Sequence, residues 1–240
     1  MLEGLKSPEI IIFGGAFDPP HQGHVDCVLA TKKRFPDALI LVVPAFQPAG
    51  ASGEHKNTSL SFENRLELCE AIFGKYDSSC KVVDVEKNLP RPNYTIITLK
   101  HIMAMYPNFK RFGFLMGLDQ YLSFPRWSQP TEIIKKTDLV VVKRSYETDL
   151  TKKNEDEMSL KDHGQMILKD LGCDGVWDDR ARAFLITKTK TLVYFIDEKI
   201  STAESHLIRE WIKEGKNIPY KWIPSESQKL LNKLAKSSKE

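Results

Sequence analysis

Four short runs of the chain are apolar at nearly every position: "EIIIF" (9–13), "ALILVV" (38–43), "RFGFLMG" (111–117) and "DLVVVKR" (138–144). A strand with one wet face alternates apolar and polar residues, whereas a run that is apolar throughout is buried on both faces. The stretches between these runs carry helical spacing at 22–35, 61–74 and 94–106, with a short helical region after residue 117 and a short strand at 81–85. In 61–74, Leu66, Cys69, Ala71 or Ile72, and Phe73 fall on one side, and Gly74 is placed to end the helix. Strands buried on both faces and spaced by helices predict an α/β fold: a doubly wound, Rossmann-like, mostly parallel sheet with helices on both faces.

The second half is more mixed. Residues 145–180 are charged and read as an insertion, a solvated loop leading into one amphipathic helix at about 158–171 that Gly172 ends. "AFLITKTKTLVYFID" predicts one or two further strands. "TAESHLIREWIKEG" predicts a helix capped by Ser201 or Thr202 and ended by Gly215, and a last helix is expected at about 225–236. Neither a repeat nor a long linker divides the 240 residues, so a single domain with a helical C-terminal end is expected.

Composition narrows the function classes. Hydrophobic residues at 41% and charged residues at 28% suit a globular protein, and a net charge of +3 does not suggest a nucleic-acid partner. The cysteines Cys27, Cys69, Cys80 and Cys173 form no CxxC pair, which points to reduced thiols and a cytoplasmic setting. "MLEGLKSPE" lacks the apolar stretch of a signal peptide, and no run approaches the ~20 residues of a membrane span, so no membrane partner is expected.

The chemistry is concentrated in "GGAFDPPHQGH" (14–24), which follows the first strand. Ligands of open α/β sheets sit at the carboxyl ends of strands, where the first strand meets its helix. Gly14 and Gly15 let the backbone approach a ligand, and Asp18-Pro19-Pro20 makes a rigid turn. A helix starting near His21–Gly23 would direct its unpartnered N–H groups and dipole at the same place, an anion site suited to phosphate. His21 and His24, three apart, fall on one helical face beside it. A metal site is disfavoured because no third neutral ligand is evident, and histidines that merely cap a turn are the plain alternative. The loop follows neither the G-x-x-x-x-G-K-[ST] nor the G-x-G-x-x-G pattern.

"GGAFDPPHQGH" resembles the signature of the HxGH nucleotidyltransferases, and within them the nicotinate/nicotinamide mononucleotide adenylyltransferase family. Further segments are similar in the same order: "EHK" (54–56), "RPNYTIITL" (91–99), "GLDQYLSFPRW" (117–127) and "ISTAESHLIRE" (200–210). Two departures stand out. Asn93 occupies a place usually held by Ser, and the last motif is stretched. Counting from Ser201-Thr202 makes Arg209 late, whereas counting back from Arg209 puts Ser205 and His206 in the Ser-Thr places.

The resemblance implies transfer of AMP from ATP to nicotinate mononucleotide, with nicotinamide mononucleotide as a further acceptor, in NAD biosynthesis. It implies Mg²⁺ arriving with ATP, and no metal held by the protein. His21, His24, Lys56 and Arg209 would be catalytic. Gly14, Gly15, Ala16, Phe17, Gly117, Asp119, Ser201, Thr202 and Ser205 would join His21, His24 and Arg209 in binding ATP. Lys56, Asn93, Tyr94, Thr95 and Trp127 would bind the mononucleotide. His101, His163 and His206 carry no pattern and read as structural or exposed. The rivals are another HxGH enzyme, such as pantetheine-phosphate adenylyltransferase or a cytidylyltransferase, and a catalytically silent nucleotide sensor.

Overall fold

The computed structural model describes residues 6–48, 57–75, 79–145, 158–224, 227–231 and 233. Their strands form one sheet: β1 (Ile10–Gly15), β2 (Leu39–Pro44), β3 (Cys80–Val82), β4 (Phe112–Gly117), β5 (Asp138–Ser145), β6 (Gly175–Asp178), β7 (Ala183–Ile186) and β8 (Leu192–Lys199). The order is β3-β2-β1-β4-β5-β8-β7-β6. All pairs from β3 to β8 are parallel, and β7 and β6 are added antiparallel. The helices are α1 (Gln22–Arg34), α2 (Phe62–Phe73), α3 (Thr95–Met105), α4 (Leu118–Ser123), α5 (Pro130–Lys136), α6 (Leu160–Asp170) and α7 (Ser205–Lys213).

Each apolar run divides its side chains between two cores because successive strand residues face opposite ways. Ile10 and Ile12 join α3, α4, α5 and α6 residues on one face. Ile11 and Phe13 join Val25 and Val28 of α1 and Ile72 and Phe73 of α2 on the other. A third cluster of Leu60, Leu68, Ile208, Ile223 and Leu231 seats α7 and the C-terminal segment on α2. That segment also reaches the first helix, where the Trp222 carbonyl accepts the Gln22 N–H at 2.8 Å.

The predicted α/β layout holds, with three local corrections. The strand expected at 81–85 is Cys80–Val82, and a 3-10 turn at Val85–Asn88 follows it. The charged stretch contributes an unforeseen strand, β6, whose "GVWD" is too short and too exposed to carry a strand pattern. The helix predicted to begin under a Ser201 or Thr202 cap begins at Ser205 with Glu204 as its cap residue. The Ser201 hydroxyl accepts the Ala203 N–H instead, and Asp26 accepts the Ser201 N–H at 2.7 Å. The helix within the charged stretch is present. Ser159 and Asp162 form its capping box, Gly172 follows it at φ +63°, and its Ile167 and Leu168 are core residues. The final helix is described over 227–231 and at 233, and no disulfide joins the four cysteines.

The amino ends of β4 and β5 are clamped by a bidentate pair. Arg111 donates to Asp138 at 2.6 and 2.9 Å, and the same carboxylate accepts the Leu192 N–H at 2.8 Å. Burial pushes the Asp138 carboxyl above its usual range, against the pull of Arg111 and the Leu192 N–H. Removing one member leaves the other without its charge partner. Asp138→Ala is therefore expected to lower unfolding free energy by about 3–5 kcal/mol, measured by urea titration; a loss under about 1 kcal/mol would show that the clamp behaves as a surface ion pair.

Candidate functional site

At the carboxyl ends of β1 and β4 lies a cleft of about 770 Å³, within the range of small-ligand sites. This is the boundary between the halves of the sheet, since the chain leaves β1 on one side to build β2 and β3 and returns on the other to build β4 and β5.

The structure brings most of the predicted residues to this cleft. Gly14, Gly15, Ala16, Phe17, His21, His24, Asn93, Tyr94, Thr95, Gly117, Asp119, Trp127, Ser205 and Arg209 line it. Ser201 and Thr202, in the segment ahead of α7, do not. Of the two registers of the stretched motif, the one counted back from Arg209 puts its Ser205 and His206 on the cleft lining. His55 and Lys56 lie outside the described residues.

The histidines are organised by the start of α1. His21 is its cap residue and is buried, and its N–H donates to His24 Nδ1 at 3.2 Å. An Nδ1 that accepts leaves the proton of a neutral imidazole on Nε2, so His24 keeps a donor on the ring's far side. The two rings lie 3.8 Å apart, and the Phe17 ring meets His24 edge-on at 4.9 Å. Phe17 holds a left-handed φ of +48°, fixed by ring contacts with Phe13 and Phe73 as well. Gly23 sits between the histidines because a Cβ there would lie 3.1 Å from the His21 ring and 3.3 Å from the Ala203 carbonyl.

The first turn of α7 docks on the same loop. Ser205 Oγ donates to the Pro19 carbonyl at 3.0 Å, and Arg209 Nη1 donates to the Asp18 carbonyl at 2.6 Å, with the Asp18 carboxylate 3.7 Å away. Asp18 also accepts the N–H groups of Ser59 and Leu60 at 2.7 and 2.9 Å. Two helix amino ends, α1 and α7, therefore meet at one loop. Their donors, two imidazoles and a guanidinium make a site suited to a polyanion.

The other wall is built by α3, the 3-10 turn before it and the segment after β4. Tyr94 is the cap residue of α3, and its own N–H is taken by the Pro92 carbonyl at 2.8 Å. The first intrahelical bonds come from Ile97 and Thr98, so the first-turn N–H groups of Thr95 and Ile96 have no helical acceptor. Asn93 is buried, and its Nδ2 donates to the Glu86 carbonyl at 3.1 Å, which leaves Oδ1 without a hydrogen-bond partner. Trp127 packs edge-on against Phe114 and Phe124 at 5.9 and 5.5 Å while lining the cleft, so it is both core and site wall.

Sequence reasoning missed four polar residues here. Arg65 is 1% exposed and donates to the Ala16 carbonyl at 2.6 Å. Its signal was available, since it falls on the apolar stripe of α2 with Leu68, Cys69 and Ile72. Glu86 lines the cleft, accepts from Thr98 Oγ1 at 2.7 Å and from the Phe46 N–H at 3.0 Å, and is raised above the usual carboxylate range by burial. Arg126 and His206 also line the cleft. Among the described residues no group of three or more His, Cys, Asp or Glu side chains is arranged to hold a metal, and no helix is long and apolar enough to cross a membrane.

Known proteins resemble this chain in sequence and in fold. A probable nicotinate-nucleotide adenylyltransferase of Leptospira borgpetersenii serovar Hardjo-bovis is 33% identical over 136 residues, covering 56% of this chain and 66% of its own length. A protein of the same name from Shewanella sp. strain MR-7 is 30% identical over 133 residues, 55% of this chain and 60% of its own. The alignments thus span less than two thirds of those relatives. The Plasmodium falciparum nicotinic acid mononucleotide adenylyltransferase complexed with NaAD superposes with a TM-score of 0.64 at 18% identity, covering 95% of this chain and 96% of that one. A putative nicotinate-nucleotide adenylyltransferase from Vibrio parahaemolyticus gives 0.58 at 20% identity, covering 94% and 100%. The cytidylyltransferase-like family model matches residues 12–210, from the first strand into the Arg209 helix, and the chain belongs to that family.

Proposed function

We propose that the protein transfers the adenylyl group of MgATP to the 5′-phosphate of nicotinate mononucleotide, giving a dinucleotide and pyrophosphate in NAD biosynthesis. The observation that carries this reading is the convergence on one cleft of His21, His24, Ser205 and Arg209 with Asn93, Tyr94, Thr95 and Trp127. The names of the Leptospira and Shewanella relatives support it.

In this reaction a mononucleotide phosphate oxygen forms a bond to the α-phosphorus of ATP, and the bond from that phosphorus to the β-bridging oxygen breaks. The attacking oxygen is already anionic, so no protein base or nucleophile is needed, and catalysis comes from positioning and charge stabilisation. His24 donates from Nε2 to the transferring phosphoryl group, with buried His21 beside it. Arg209 and the first turn of α7 hold the β- and γ-phosphates, and the backbone of Gly14–Phe17 lets the nucleotide approach β1. Gly117 and Asp119 line the nucleotide side; a Cβ at residue 117 would collide with the Asp119 carboxylate. Mg²⁺ enters as part of the substrate, held by phosphate and water. Lys56 is assigned the mononucleotide phosphate.

The pyridine substituent meets the start of α3. A carboxylate accepts from the Thr95 and Ile96 N–H groups, whereas a carboxamide turns an NH₂ toward donors. The unpartnered Asn93 Oδ1 favours a second reading, in which the amide substrate is also used.

Pyrophosphate release from MgATP with nicotinate mononucleotide, set against pantetheine phosphate and the cytidylyltransferase acceptors, tests the assignment; no release with either pyridine mononucleotide would overturn it. The ratio of kcat/KM for nicotinate over nicotinamide mononucleotide is expected at about tenfold to a hundredfold, from charge-assisted hydrogen bonds. A ratio of one or less would give the amide reading the site. His24→Ala is expected to lower kcat roughly a hundredfold with a much smaller change in ATP affinity. Trp127→Ala is expected to raise KM for the mononucleotide about tenfold while KM for ATP stays near wild type. A lower Tm without that selective change in KM would make Trp127 a core residue only.

A further inference from the structure

Glu86 stands in the cleft wall without a part in the phosphate chemistry. It is 6% exposed and lines the cleft together with Asn93, Tyr94, Thr98 and Trp127. Its Oε1 receives the Thr98 hydroxyl and its Oε2 the Phe46 N–H, and its main-chain carbonyl receives Asn93 Nδ2. Thr98 lies one turn along α3 from the Tyr94 cap, so the carboxylate is fixed to the wall assigned to the pyridine ring. Both of its donors are neutral. Among the described residues no Lys, Arg or His side chain forms an ion pair with Glu86, and Arg65 donates to the Ala16 and Phe46 carbonyls instead.

A buried carboxylate is costly to hold without a countercharge, the more so in the wall of a cleft that takes up phosphates. Burial pushes the Glu86 carboxyl above its usual range, against the pull of Thr98, the Phe46 N–H and Arg65. A cation brought by the ligand would remove that cost. A pyridine mononucleotide brings one, because a pyridine nitrogen bonded to ribose uses its lone pair in that bond and the ring becomes positive. A flat cation suits an anion and an aromatic face together, and Trp127 supplies the aromatic face in the same cleft. From this geometry, which rests on reading the cleft as a pyridine mononucleotide site, we infer that Glu86 is a binding residue for the pyridinium cation of the acceptor. The acid and the amide mononucleotides both carry that cation. Glu86 therefore selects the charged ring as a class, against acceptors whose ring is neutral or absent.

The test compares two ligands of nearly one shape: nicotinamide mononucleotide, whose ring is cationic, and its dihydro form, whose ring is neutral. Binding is read by calorimetry with a non-cleavable ATP analogue present, at mildly alkaline pH where the dihydropyridine is stable. Wild type is expected to bind the cationic form about tenfold more tightly, the effect of one screened charge pair. Glu86→Gln keeps both hydrogen bonds, its oxygen accepting from Phe46 and its NH₂ donating to Thr98 Oγ1, and removes only the charge. It is expected to melt no lower than wild type, to bind the ATP analogue as wild type does, and to lose most of the preference by weakening the cationic form alone. Equal affinities on wild type overturn the inference before any variant is made. A Glu86→Gln protein with the wild-type preference overturns it as well, and so does one that weakens both forms alike, the mark of a purely structural residue. If pyrophosphate is released with a pyridine mononucleotide but the preference does not follow Glu86, the inference alone falls. If neither form binds and no pyrophosphate is released, the proposed reaction falls and the inference with it.

Discussion

The carboxylate of Asp18 holds the mouth of the cleft together. It is 5% exposed, and it accepts the N–H groups of two successive residues, Ser59 and Leu60, one on each oxygen. Its own carbonyl and, more distantly, its Oδ2 receive Arg209. One residue of the β1–α1 loop therefore fixes the segment ahead of α2 and the guanidinium of α7, parts of the chain far apart in sequence. Only a carboxylate accepts on both oxygens. An amide at this place would turn an NH₂ toward one of the N–H groups and give no charge to Arg209. The positions of His21 and His24, three and six residues on, follow from where this loop is held.

A second set of bonds stiffens the loop from behind. The backbone of Phe46 is held by two buried side chains: its N–H donates to Glu86 at 3.0 Å, and its carbonyl receives Arg65 Nη2 at 3.4 Å. Arg65 also holds Ala16, so the backbone beside β1 and the backbone after β2 are tied through one guanidinium. Buried charges are retained where hydrogen bonds satisfy them, and here both acceptors of Arg65 are main-chain carbonyls whose places it defines. These groups touch the walls of the site from the protein side, and they set how closely the two loops approach.

The central strands were legible because they are buried on both faces, which yields short apolar runs such as "IIIF" and "LILVV" bounded by turn and helix signals. The β1–α1 loop was legible because Gly14, Gly15, Asp18 and Pro19 constrain the backbone so tightly. Arg209 and Ser205 were located by their spacing within a motif, but the register of that motif was not. Ser201 and Thr202 are good capping residues by type, and tertiary bonds to Asp26 and Ala203 override that preference. Glu86 was illegible for a different reason: its partners Phe46 and Thr98 are distant in sequence, and nothing in the local pattern marks a carboxylate as buried. His206 was illegible because its meaning depends on which face of α7 turns to the cleft.

The ordering of the strands has a consequence outside the site. The sheet ends in β3 on one side and β6 on the other, which are three and four residues long, while the strands nearest the centre have six to eight. A sheet margin is a row of unsatisfied backbone groups on which a foreign strand can grow, and its reach is set by its length. Here the long, apolar, β-branched runs that a stacking aggregate would prefer are all interior. The two margins offer only brief templates, and one of them is turned antiparallel by the hairpin. The fold thus keeps its stickiest segments out of reach of neighbouring chains by position alone.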